Sequence, residues 1–289
     1  MRGRMLKIAL PNKGRLADDV RALLDDAGLS VRVQSDRALI AKLGGEYEAI
    51  FVRSQDIPEF VADGAAQVGI TGWDLVTESE RSLVDRLDLN FGRCRIVVAA
   101  RDDRGIASLD QIPAGARVAT VFPRIAAAFF GGINLPVTIV PVSGATEIAP
   151  HLGIADLIVD IVSTGSTLKV NGLVEIATIL DSSARLVTAG GLPADAQAAV
   201  EGLVVRLESV IRARGQRYVM ANVPRAALDR IRSVVPGING PTVVDILNDG
   251  SHVAVHAVVA AASVDRTIAD LRTLGATGIL VTRIERLVP

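Results

Sequence analysis

Asp160 stands inside Leu157-Ile158-Val159-Asp160-Ile161-Val162, a short run otherwise made of apolar, mostly β-branched residues. Such a run between turn formers predicts a buried strand of a parallel sheet, and a carboxylate within one needs a reason to be there. The run ends in Ser163-Thr164-Gly165-Ser166-Thr167, followed by Leu168-Lys169-Val170 and the stop signal Asn171-Gly172. Small hydroxyl residues around a glycine, between a strand and a short helix, expose several backbone N–H groups together. They add hydroxyl donors and have the positive helix end behind them, which is the chemistry of a phosphate cradle. The same residues also make a well-capped turn. The carboxylate just upstream tips the balance towards an anion and hydroxyl site.

Cations form the second set of candidates. Lys13 and Arg15 lie in Pro11-Asn12-Lys13-Gly14-Arg15, between a predicted strand over 6–10 and a helix in which Leu16, Val20, Leu23, Leu24 and Ala27 recur at helical spacing. They fall at the carboxyl end of the first strand, where open α/β sheets bind ligands; solvated turn cations are the alternative. Arg53 ends a predicted strand over 49–52. Further on, Val68-Gly69-Ile70 leads into Thr71-Gly72-Trp73-Asp74, which echoes the strand, Thr-Gly and helix start at 161–168. The echo points to two similar lobes, each aiming a loop at a shared cleft. Trp73 either stacks on a base or packs between helix and sheet, and Asp74 is equally a first-turn helix charge.

The elements that must position these residues alternate along the chain. Short extended segments are predicted at 29–33, 38–43 and 49–52, with turns at Ser35-Asp36 and Gly44-Gly45. A helix over 56–65 follows, with Asp56 as cap and Pro58 in its first turn. Strands are predicted at 94–100, 117–121, 137–142 and 174–180, a helix and turn at 108–114 and a helix at 125–130. Pro150 limits any helix around Glu147 to a short or late-starting one. The segment 183–187 returns to the first lobe, and 194–214 is a long amphipathic helix stopped by Gly215. From Gln216 the pattern is βαββαβ, with a hairpin signal at Asn248-Asp249-Gly250, which makes a ferredoxin-like unit.

Composition sets the bounds. The chain has 289 residues, net charge −1, 49% hydrophobic and only 3% aromatic residues. That length suits two or three domains, and a core of Ala, Val, Ile and Leu suits a helix-covered parallel sheet. Charge balance argues against a nucleic-acid groove. Cys94, the only cysteine, excludes an internal disulfide and reads as a buried or incidental thiol despite Arg93 and Arg95 beside it. The apolar stretches are too short for a signal peptide or a membrane span, so a soluble cytoplasmic protein with no membrane partner is expected.

Glu147, Gly153, Ala155, Ile158, Asp160, Ile161, Thr164-Gly165 and Thr167-Leu168 together resemble the signature of ATP phosphoribosyltransferase, with every fixed position filled. The resemblance covers the whole chain and is to the long form of the family. It implies transfer of phosphoribose from phosphoribosyl pyrophosphate (PRPP) to ATP, with Mg²⁺, in the first step of histidine biosynthesis. It also implies an α/β fold: a two-lobe, periplasmic-binding-protein-like (type II) catalytic core plus the C-terminal ferredoxin-like domain. Lobe I would take 1–95 with 184–214, lobe II 96–183, and the regulatory domain 216–289. By the same resemblance Thr164, Gly165, Ser166 and Thr167 would hold the PRPP 5′-phosphate, and Asp160 the ribose hydroxyls with Glu147 nearby. Lys13, Arg15 and Arg53 would face ATP or the leaving pyrophosphate, and Gly72, Asp74 and Thr120 would line the cleft. Mg²⁺ would bind largely through substrate phosphates, with no dedicated protein cage. Histidine would inhibit allosterically at Asn222, Ile238 and Thr242, in a homo-oligomer (dimer and hexamer). One departure from the family pattern is Arg53-Ser54-Gln55-Asp56, where Pro is expected beside the arginine. Asn222 stands where an acidic partner is expected. The two-lobe fold also serves solute receptors and ligand-sensing regulators, and a non-catalytic regulatory relative is a third reading; the expected lack of a signal peptide weighs against the first, the lack of a basic DNA-binding segment against the second, and the filled phosphate-loop signature against the third.

Overall fold

The computed structural model describes residues 5–32, 38–247 and 250–288. The expected turn at Ser35-Asp36, the end of the segment over 29–33 and the hairpin residues Asn248-Asp249 lie outside them. The chain divides into two compact units, residues 1–201 and 202–289.

In the first unit β1 (Leu6–Pro11), α1 (Ala17–Asp26), β2 (Val31–Arg32), β3 (Ile40–Leu43) and β4 (Tyr47–Val52) come first. Then follow α2 (Ile57–Ala62), β5 (Val68–Gly72), α3 (Trp73–Ser79) and β6 (Leu83–Asp88). Next are β7 (Cys94–Arg101), β8 (Arg117–Thr120), α4 (Pro123–Gly132), β9 (Thr138–Pro141) and β10 (Leu157–Val162). After them come α5 (Ser166–Val170), β11 (Leu173–Ser182), β12 (Ala184–Ala189) and α6 (Ala194–Arg214), within which the division between units falls.

Two sheets result, with orders β2-β3-β4-β1-β5-β12-β6 and β11-β7-β10-β8-β9. Each holds three neighbouring parallel strands (β4-β1-β5 and β9-β8-β10) followed by an antiparallel strand, β12 or β7, and then a last strand antiparallel to that one. The chain crosses between the sheets twice, from β6 into β7 and from β11 back into β12. The repeated order and double crossing are the type II periplasmic-binding-protein arrangement, and the echo between 70–76 and 161–168 reflects it. The two crossings run side by side: Ala184 N–H donates to Phe91 O at 3.0 Å and Leu89 N–H to Ala184 O at 3.0 Å.

Apolar side chains cover both faces of the second sheet. Leu157 and Val159 of β10 join Ile96, Val98, Phe122 and Ile125 on one face, while Ile158 and Val162 join Val97, Ala99, Ala119 and Leu168 on the other. Burying one such Leu or Ile side chain contributes about 1.5–3 kcal/mol, which fixes the register of β10. By alternation Asp160 then shares the face of Ile158 and Val162.

Residues 54–56 form a 3₁₀ turn that runs straight into α2, so Asp56 is already helical and makes no side-chain cap. Within the helix and turn expected over 108–114, the helical part is a single 3₁₀ turn at Leu109–Gln111. Strand β6 was not expected; it is a half-exposed outer strand carrying Asp85, Arg86 and Asp88 instead of an apolar run.

The second unit, considered alone, contains β13 (Gln216–Pro224), α7 (Leu228–Val234), β14 (Thr242–Asp245), β15 (His252–Ala260), α8 (Val264–Thr273) and β16 (Thr277–Arg283). Its sheet order, β14-β15-β13-β16, is antiparallel throughout and ferredoxin-like. Val219, Ala221 and Val223 of β13 and Val253, Val255, Ala257 and Val259 of β15 form the core with Ile231 of α7 and Leu271 of α8.

Candidate active site

The second lobe carries the carboxylates and the hydroxyl loop. Glu147 sits in a single 3₁₀ turn, Thr146–Ile148, entered through Ala145 at φ 50°. Pro150 follows within a turn, as the sequence requires. Asp160 is half-buried, and its Oδ1 accepts from Ile161 N–H at 2.7 Å. Burial pushes the Asp160 carboxyl above its ordinary value. The charge of nearby Glu147 adds to this, while the Ile161 amide and the hydroxyl of buried Thr146 hydrogen-bond the carboxylate and oppose it. The two acidic residues 13 positions apart therefore meet in one place, with Thr146 as a partner that the sequence reading missed.

The loop after β10 turns at Gly165, whose φ of 79° lies in the left-handed region. A Cβ there would meet nothing within 4 Å, so glycine answers to conformation and not to space. Thr164 Oγ1 and Ser166 Oγ are 2.9 Å apart, and Thr164, Ser166 and Thr167 are exposed. Buried Leu168 anchors α5. Asn171 closes it, its Nδ2 donating to Thr167 O at 2.9 Å. His151 Nε2 donates to Asn171 O at 2.8 Å, which ties the turn after Glu147 to the end of the hydroxyl loop.

The first lobe supplies cations from adjacent strand ends. Pro11 and Val52 are in register, and Asn12 N–H donates to Val52 O at 2.8 Å. The turn with Lys13 and the start of the turn with Arg53 therefore lie side by side, and both side chains are exposed. Asn12 Oδ1 is buried without a hydrogen-bond partner, a feature that the sequence reading passed over. Arg15 is exposed but engaged: Nη1 donates to Gly92 O at 2.9 Å and Nη2 to Cys94 Sγ at 3.3 Å, on the first crossing between the sheets.

The remaining cleft candidates are buried. Asp74 N–H donates to Ser182 Oγ at 2.9 Å, and Ser182 Oγ donates back to Asp74 Oδ1 at 2.6 Å. A Cβ on Gly72 would stand 2.2 Å from Asp74 Oδ1, so the carboxylate folds back over the space that a side chain there would need. Thr120 is fully buried, and its Oγ1 accepts from Phe122 N–H at 2.8 Å. Trp73 is half-buried, with the Arg185 guanidinium 5.8 Å from its ring centroid. Cys94 is buried and forms no disulfide.

In the C-terminal unit Asn222 and Thr242 share one face of the sheet, two strands apart. Asn222 pairs with Ala254, and Thr242 pairs with His256, which pairs with Met220. Ile238 is exposed in the turn before β14. His256 Nδ1 lies 2.7 Å from the Tyr218 hydroxyl on the same face.

Residues 53–209 match the protein family described as ATP phosphoribosyltransferase, and residues 213–286 match its C-terminal domain. An ATP phosphoribosyltransferase of Gemmatimonas aurantiaca is 63% identical over 292 aligned positions, covering 99% of this chain and 100% of the relative. One from Natronomonas pharaonis is 47% identical, with 98% and 100% covered. Among solved structures, a chain of the ATP phosphoribosyl transferase (HisG:HisZ) complex from Thermotoga maritima superposes with a TM-score of 0.64 at 31% identity. The match covers 72% of this chain and 99% of that one. Fold and comparisons together define a two-lobe α/β transferase of the pentosyltransferase class with an appended ferredoxin-like domain. The chain belongs to the ATP phosphoribosyltransferase family, whose enzymes serve histidine biosynthesis. Among the described residues no helix is long and apolar enough to cross a membrane.

Proposed function

We propose that this chain joins ATP to PRPP, giving N1-(5-phosphoribosyl)-ATP and pyrophosphate. The adenine N1 lone pair forms the bond to the anomeric carbon as the bond to pyrophosphate breaks, and positive charge builds on the ribose. The protein's task is to position two substrates, exclude water and stabilise the leaving group. The observation that carries this reading is the meeting of Glu147 and Asp160 beside the exposed Thr164–Thr167 loop. The backbone N–H groups and hydroxyls of that loop hold the 5′-phosphate, and Asp160 accepts from the ribose hydroxyls. Lys13 and Arg53 lie towards ATP or the departing pyrophosphate. Arg15, Gly72, Asp74 and Thr120 shape the cleft from beneath, since their polar groups are already engaged or buried.

Mg²⁺ fits this donor set. Among the described residues no three acidic, His or Cys side chains are grouped to hold a metal. Glu147 and Asp160 offer two carboxylates, which suits a hard cation bound mainly through substrate phosphates and water. When bound, the ion supplies neutralisation of the pyrophosphate charge. The C-terminal unit binds histidine and transmits feedback inhibition within a homo-oligomer in the cytoplasm. Asn222, Ile238 and Thr242 are its candidate contacts. The catalytic reading is tested by pyrophosphate release: it should require ATP and PRPP together, and release from PRPP alone at the same rate would refute the proposed transfer.

A further inference from the structure

Helix α3 lies between β5 and β6 of the first lobe, yet its contacts reach the second. At its start, Asp74 is bonded to Ser182, the last residue of β11. In its middle, Leu75 packs against the second-lobe core of Ile96, Val98, Phe122 and Ile125. At its end, the half-buried Glu78 carboxylate receives the first free amides of α4: Arg124 N–H donates to Oε1 at 3.0 Å and Ile125 N–H to Oε2 at 3.0 Å. Arg124 Nη1 reaches back to Glu78 O at 3.0 Å and Ser79 O at 3.3 Å. A carboxylate on a helix N-terminus satisfies orphan donors and meets the positive end of the dipole. Here the carboxylate and the helix belong to different lobes.

We infer that α3 is a brace between the lobes and that Glu78 is a positioning residue for the transfer reaction, acting by fixing α4 of the second lobe to the first. Ser182 lies at the crossing itself and would move little if the lobes rotated apart. Glu78 stands at the other end of α3, so the same rotation would pull it off α4. The Glu78–α4 contact thus sets the angle between the cations of the first lobe and the hydroxyl loop of the second. A reaction that joins two bound substrates needs its reacting atoms about 3–3.5 Å apart, and a misplacement of about 1 Å costs about a hundredfold. This inference rests on the proposed placement of the two substrates against opposite lobes. The brace itself does not depend on that placement.

The test uses the full chain without substrate first. Spin labels go on Asp25→Cys, exposed on α1, and Thr138→Cys, exposed on β9. Buried Cys94 is left in place, and labelled chains are diluted with unlabelled ones. The interlobe distance distribution should be narrow with Glu78 intact and should broaden or lengthen with Glu78→Ala, and less with Glu78→Gln, which keeps one acceptor. Should Glu78→Ala fail to fold, Glu78→Gln and Arg124→Ala carry the same expectation in weaker form. In turnover, kcat should fall at least tenfold in Glu78→Ala, while the affinity for PRPP alone stays within about twofold. A distribution unchanged in these variants overturns the brace, whatever the activity. A broadened distribution with unchanged kcat overturns the positioning role.

Discussion

Asp160 lies close enough to Glu147 that, on top of the larger effect of its own burial, the Glu147 charge helps raise the Asp160 pKa. A carboxylate that must accept hydrogen bonds from ribose hydroxyls has to be ionised. The affinity for PRPP should therefore fall on the acid side at a higher pH than an unperturbed aspartate would give. Glu147→Gln removes one source of the upward shift and should move this acid limb to lower pH. Calorimetric PRPP affinity against pH checks it; an acid limb that stays in place separates the two groups.

The same shift has a consequence for stability. A folded-state pKa above the unfolded value means that the native state holds more protons in the window between the two. The contribution of Asp160 is then fully present below the unfolded pKa and is lost as pH rises through the folded one. Asp160→Asn abolishes this dependence. Relative to wild type, the variant should gain thermal stability as pH is raised from the acid range to neutrality, while losing turnover. A stability difference that does not change with pH would contradict the assignment.

Thr167→Ala removes one hydroxyl donor from the proposed phosphate loop. A hydrogen bond to a charged group is worth about 1.5–3 kcal/mol, so PRPP should bind about ten- to a hundredfold more weakly. ATP affinity should change much less. An unchanged PRPP affinity in a folded variant would remove the loop from the site.

Gly72→Ala places a methyl group 2.2 Å from Asp74 Oδ1. The carboxylate must shift and its bond with Ser182 must open, at a cost of about 1–3 kcal/mol. Thermal unfolding should move down by a few degrees, and adding Ser182→Ala should then cost less than it does in the wild type, because the Ser182–Asp74 carboxylate bond is already open and only the Asp74 N–H to Ser182 contact remains to be lost. Fully additive losses would show that Gly72 and Ser182 act separately.

Much of this was legible in the sequence, for local reasons. The apolar run over 157–162, the glycine in a hydroxyl-rich turn and the Asn-Gly stop are short-range signals, and they gave β10, the loop and α5. The βαββαβ order from Gln216 gave the C-terminal sheet. What escaped depends on partners far along the chain. Ser182 and Asp74 are 108 positions apart, and Glu78 meets Arg124 across 46. Nothing local marks either pair. Strand β6 escaped because an outer strand need not be apolar; its Asp85 and Asp88 are instead matched by Arg185 of β12.

Histidine should bind the full chain and inhibit it without competing for the Thr164–Thr167 loop. Because α6 runs through the division between the compact units, the intact protein is the right object for this measurement. Thr242→Ala should weaken histidine binding and leave turnover without histidine unchanged. Absence of both inhibition and calorimetric binding at millimolar histidine would leave the C-terminal unit a role in assembly instead.

Transfer makes a bond between adenine N1 and the ribose carbon, and the new ultraviolet absorbance of N1-substituted adenine reports it directly. With purified protein, Mg²⁺, ATP and PRPP, the absorbance should rise at a rate proportional to enzyme and be abolished in Asp160→Asn. It should not rise when either substrate is omitted. Folded protein that binds both substrates yet never produces this absorbance would rule out the proposed transfer.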